Sequence, residues 1–60
     1  MKVICISERK SLQAQIKKGD FYKIDRNSIW IDSDGDCYGS VYTESGEYIA
    51  QMLLKHFCSV

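Results

Sequence analysis

The chain has no proline, no charge surplus and no long apolar stretch in its 60 residues. Without a net charge it lacks the general electrostatic grip that nucleic-acid binding requires. The apolar run at the start ends after Val3–Ile6, too short for a secretory core. The later run, Met52–Leu54, is far below the roughly 20 residues that span a bilayer. The expectation is a cytoplasmic protein with no membrane partner. Histidine and tryptophan occur once each. The three cysteines, Cys5, Cys37 and Cys58, are odd in number and contain no C-x-x-C pair. That spacing argues against a disulfide framework and a zinc site, and points to free thiols buried as small hydrophobes. The four glycines are too scattered for a phosphate loop or a dinucleotide fingerprint.

A chain of this length makes one domain, spanning 1–60, and buries only about 60 % of the surface its unfolded form exposes. One small sheet system fits that limit; a deep catalytic cleft does not. Although the charges balance, they are unevenly placed. Residues 1–30 hold seven Lys/Arg against three Asp/Glu, whereas residues 31–60 hold Lys55 alone against five acids.

Residues 2–6 are short and β-branched, the pattern of a buried first strand. In 7–18, Leu12 and Ile16 lie four apart among polar residues, which fits a short amphipathic helix or a long ordered loop, with Ser7 and Ser11 as candidate caps. Alternation across 20–25 sets Tyr22 and Ile24 inward and Phe21, Lys23 and Asp25 outward, and Arg26–Asn27 then turns the chain. Residues 28–50 form two hairpins around Ser33-Asp34-Gly35 and Glu44-Ser45-Gly46, three-residue loops whose last glycine supplies the left-handed residue of a bulged turn. That register pairs Ile31 with Cys37, Ile29 with Gly39 and Val41 with Ile49 on a core side. It pairs Trp30 with Tyr38 and Tyr42 with Tyr48 on the other side. Residues 51–57 suggest one or two helical turns, with Leu53 or Leu54 and Phe57 packed inward, before a short last strand at 58–60.

This order of strand, long loop, meander, helical turn and final strand carries a resemblance. Ile16-Lys-Lys-Gly-Asp-Phe-Tyr-Lys-Ile24, then Ile29-Trp-Ile-Asp-Ser-Asp-Gly35, then Leu53 to Phe57, is similar to small SH3-like barrel proteins of Gram-positive bacteria and their phages. The resemblance implies a mainly β, SH3-like barrel of about five strands, with a long first loop and a short helical turn before the last strand. It also implies an accessory or host-modulating protein that occupies a surface. The Ala-Leu-Tyr-Asp-Tyr motif with which eukaryotic SH3 domains read proline-rich ligands has no counterpart here, so proline-peptide binding is not implied.

Three constellations invite chemistry. Asp32-Ser-Asp34-Gly-Asp36 has the look of a calcium loop, but positions 6 and 12 counted from Asp32 hold Cys37 and Thr43 where glycine and glutamate belong, so no metal is expected. His56 near Cys58 is a nucleophile–base pair only on paper, without a third member, and the expectation is a protein that is not an enzyme and carries no cofactor. Trp30, Tyr38, Tyr42 and Tyr48 are the stronger set, because aromatics are enriched at recognition surfaces. With the acidic tips at Asp34 and Glu44 they predict a face that docks on another protein, the acids steering a basic partner. The alternative is a weak binder of RNA or single-stranded DNA through Lys17, Lys18, Lys23 and Arg26. An edge strand at 2–6 or 20–25 left open would pair with a second copy as a homodimer.

Overall fold

The computed structural model describes residues 1–7, 9–10 and 15–60, with the side chains of Arg9, Lys10 and Gln15 outside the description. The strands are β1 (Lys2–Cys5), β2 (Arg9–Lys10), β3 (Gln15–Ile16), β4 (Phe21–Ile24), β5 (Trp30–Ile31), β6 (Cys37–Tyr42), β7 (Tyr48–Leu53) and β8 (Phe57–Ser59). Two 3-10 turns, Arg26–Ser28 and Leu54–His56, complete the described elements. The protein is mainly β, and a long excursion after the first strand and a 3-10 turn before the last stand in the order expected from sequence. It has six strands in its main antiparallel sheet rather than five, and β2 and β3 form a separate two-stranded ribbon.

The sheet runs β8-β1-β4-β6-β7, and β5 shares the β6 edge that also pairs with β4. Alternation in β1 and β4 buries Val3, Cys5, Tyr22 and Ile24. Ile16, Val41, Met52 and Phe57 complete one core cluster, with Ile49, Ala50 and Leu54 packed against it. Because β7 and β8 lie at opposite ends of the strand order yet supply the same core, the sheet bends around it. Tyr22 meets Phe57 edge to face at 5.9 Å. The Tyr22 hydroxyl accepts the Lys17 N–H at 3.0 Å, so the ring fixes the end of the excursion as well as filling the core.

Where β6 changes partners, the 3-10 turn after β4 satisfies the backbone. Asp25 caps it by accepting the Asn27 N–H at 3.0 Å. The Ser28 hydroxyl donates to Asp25 O at 2.6 Å and accepts the Ser40 N–H at 2.8 Å, serving a β6 amide between the two strand pairings. Gly39 lies at that crossing. A Cβ there would stand 2.9 Å from Ile24 Cγ2 and 3.1 Å from Leu54 Cδ2, so the close approach is what requires glycine.

Both hairpin turns match the expected chemistry. Gly35 N donates to Asp32 O and Gly46 N to Thr43 O, closing each turn, and both glycines have positive φ, 85° and 97°. Trp30 pairs with Tyr38, Ile31 with Cys37, and Tyr42 with Tyr48.

Several expectations are corrected. Val41 pairs with Ala50 rather than Ile49, because a bulge between Val41 and Tyr42 gives β7 one extra residue. Val41 is fully buried, but Ile29 and Ile31 are 38 % and 65 % exposed. Neither isoleucine belongs to the core cluster, which reaches no further along the β5–β6 hairpin than Val41, with the partly buried Leu54 packed against it. Residues 51–53 continue β7 instead of turning helical, since the core face alternates through Ala50 and Met52 and only Leu54–His56 winds up. Within 7–18 the described residues form the β2–β3 ribbon and no helix; Ser11 and Leu12 lie outside the described residues. Ser7, a candidate cap, instead bonds His56 Nδ1 through its hydroxyl at 2.7 Å. The cysteines are free, but only Cys5 is buried; Cys37 is intermediate and Cys58 exposed.

The proposed edges are also wrong. β1 is paired on both sides by β4 and β8, and β4 by β1 and β6, so neither 2–6 nor 20–25 is open to a second copy. In the main sheet, the strands with one paired neighbour among the described residues are β5, β7 and β8. β5 has two residues, β8 has three and β7 is bulged, the features that blunt an edge against strand addition.

Candidate functional site

Alternation in β6 turns Gly39 and Val41 to the core and Tyr38, Ser40 and Tyr42 to the outer face. The turn-fixed register then brings Trp30 beside Tyr38 and Tyr48 beside Tyr42, so the four aromatics predicted as a set share one face. Trp30 and Tyr38 stack with centroids 4.7 Å apart and planes inclined 16°. Tyr42 and Tyr48 meet edge to face at 5.5 Å and 66°. Each pair contributes about 0.5–1.5 kcal/mol beyond area burial. Stacking covers only one side of each ring, and Trp30 and Tyr48 stay 45 % and 58 % exposed. Tyr38 and Tyr42 are intermediate, flanked by strands on both edges. They stand four positions apart along β6, a span of about 13 Å.

Asp34 and Glu44 are exposed on turns at opposite ends of β6 and bracket the aromatic stripe. Asp32 and Asp36 are opposed as expected, Asp32 N donating to Asp36 O at 3.0 Å. The like-charge conflict is eased because Asp32 turns its carboxylate inward, Oδ1 accepting the N–H of Asp34 at 2.9 Å and of Asp36 at 3.0 Å. Its carboxylate therefore shapes the turn. No group of three His, Cys, Asp or Glu poised to hold a metal occurs among the described residues.

The opposite end of the face is charged differently. Lys2 and Lys23 are cross-strand partners, and Lys23 is also the partner of Tyr42. Lys2 Nζ lies 4.7 Å from the Phe21 ring centroid and 3.8 Å from Glu44 Oε2. Both side chains of that ion pair are more than half exposed, so its contribution to stability is small. Phe21 and Lys2 extend the outer face, and Lys2 was not among the residues chosen from sequence. Alternation against Tyr22 already turned Phe21 outward, but bringing Lys2 onto it needs the β1–β4 register, which no local pattern encodes.

Of the nucleic-acid candidates, Lys17 and Lys18 are exposed just before β4, Lys23 is exposed on it, and Arg26 is exposed in the turn beyond its far end. The strand thus strings them out along its length. His56 is placed against Ser7, its Nδ1 paired with the serine hydroxyl and its carbonyl accepting the Ile6 N–H at 2.8 Å. That contact ties the exit of β1 to the last 3-10 turn. No helix among the described residues is long and apolar enough to cross a membrane. Comparison with family models, with curated proteins and with solved structures finds no match for this chain.

Proposed function

We propose that the protein is a non-catalytic interaction module that docks on another protein through the outer aromatic face. The observation that carries this reading is the two exposed rings, Trp30 stacked on Tyr38 and Tyr48 held edge to face by Tyr42, at the two ends of one strand. Rings already held by their neighbours lose little side-chain freedom on binding, and rigid aromatic anchors dominate interface energetics. The blunted sheet edges favour docking by this face over strand exchange. Such a module works by occupying a surface, the mode of an accessory or host-modulating factor, in keeping with the resemblance to phage-type proteins and a cytoplasmic setting.

A second reading keeps one supporting observation: Lys2 and Lys23 stand opposite each other beside Phe21 and Tyr42, a small pairing of cations with rings suited to single-stranded nucleic acid.

One experiment separates the two. A partner captured from lysate and purified is footprinted on the chain, and the complex is titrated across salt. The docking reading expects Trp30 and Tyr48 protected together, a protein as the bound species, and an affinity that falls only modestly between low and physiological salt. Protection confined to Lys2, Lys23 and Phe21, with a nucleic acid as the bound species and a steep salt slope, would replace it with the second reading.

A further inference from the structure

The outer face is electrically polarised, and this narrows the partner. From Asn27 to Leu54 the chain has five carboxylates and no lysine, arginine or histidine. At the Tyr42 end, cations from outside that stretch are close by: Lys2 reaches Glu44, and Lys23 adjoins Tyr42. At the Trp30 end, the first turn carries Asp32, Asp34 and Asp36, and the one ion pair among the described residues is the distant Lys2–Glu44. Asp32 is engaged with the backbone of its own turn. Asp34 and Asp36 are exposed on the turn that follows Trp30, whose indole is exposed on the outer face, with Ile31 turned to the opposite face of the same strand. Unpaired negative charge bordering an apolar patch that sits off the core is a poor arrangement for stability alone, and complementarity of this kind selects partners by charge.

We propose that the Trp30 end seats a cationic segment of the partner protein, with a bulky apolar side chain placed on Trp30 and flanking arginine or lysine set against Asp34 and Asp36. This deepens the docking reading and rests on it. It differs in assigning the steering charge to the first turn alone, Glu44 being already matched by Lys2.

The test uses the synthetic peptide acetyl-Arg-Leu-Arg-Leu-Arg-amide and its counterpart with glutamate in place of each arginine, titrated at low and physiological ionic strength. The double variant Asp34→Asn/Asp36→Asn removes the charge and keeps the turn, because asparagine suits turns and Asp32 accepts backbone rather than side-chain donors. The arginine peptide is expected to bind wild type, to lose roughly tenfold against that double variant at low salt, and to change less than twofold against Glu44→Gln/Glu47→Gln. The glutamate peptide is expected not to bind. Equal losses in the two double variants would mean general acidity and overturn the proposal, as would equal binding of both peptides or indifference to the tip variant. If the tip variant has no effect while Trp30→Ala still weakens the peptide, the cationic chemistry falls and the docking face stands. Peptide binding indifferent to Trp30→Ala overturns the seat itself, and the footprint of the captured partner then judges the face separately.

Discussion

Replacing Gly39 with valine is expected to lower the urea midpoint of unfolding by roughly 1–2 M, for a net loss of about 2 kcal/mol at the slope usual for a small domain. The Cβ alone would stand 2.9 Å from Ile24 Cγ2, and Ile24, 2 % exposed, has no room to withdraw. Two further methyl groups would press on Leu54 and Ile29, which already lie 3.1 Å and 3.5 Å from that Cβ position. Overpacking costs typically about 1–3 kcal/mol and sometimes more. The gain in strand preference from glycine to valine offsets at most about 1 kcal/mol. For a 60-residue chain, whose whole stability is on the order of 3–9 kcal/mol, that is a large share. Equilibrium urea unfolding measures it. An unchanged midpoint would mean that β6 does not pass this close to Ile24.

Trp30→Ala is expected to act differently, weakening partner binding by about 2 kcal/mol or more, some thirtyfold, while lowering the melting temperature by only several degrees, about 4–8 °C for each kcal/mol lost. Trp30 belongs to a two-residue strand outside the core cluster, so its removal forfeits the stack on Tyr38 and little else. That stack is worth about 0.5–1.5 kcal/mol. A tryptophan present only to brace the sheet would reverse the pattern, destabilising the fold and leaving affinity intact. Calorimetric titration of the purified partner, run beside thermal unfolding of both chains, separates these outcomes.

Much of this architecture was legible from sequence, and the failures have physical causes. The two hairpins were readable because glycine must take the left-handed residue of each turn, and the turn fixes the register of the residues next to it. Tyr22 and Ile24 were readable from alternation against charged neighbours. The same alternation misled at Ile29 and Ile31: it tells which side of a sheet a residue is on, not how far the core extends beneath it. Ile49 was displaced by a bulge, which depends on how β7 wraps the core. The pair Leu12 and Ile16 is compatible with helix or ribbon alike, and Met52 is apolar enough for either a helical turn or a strand. Which strands end up at the edge is a property of long-range pairing, so the open strands were chosen wrongly. For the candidate face, the four aromatics followed from the turns, whereas Phe21 and Lys2 joined it only through the contact of the first and fourth strands.

The most direct check is optical, since the chain contains a single tryptophan. Trp30 fluorescence should be red-shifted and readily quenched by acrylamide in the folded protein, and partner binding should shift it to the blue and shield it. Emission already blue-shifted and resistant to acrylamide in the isolated chain would show the indole covered, and the docking surface described above would not exist.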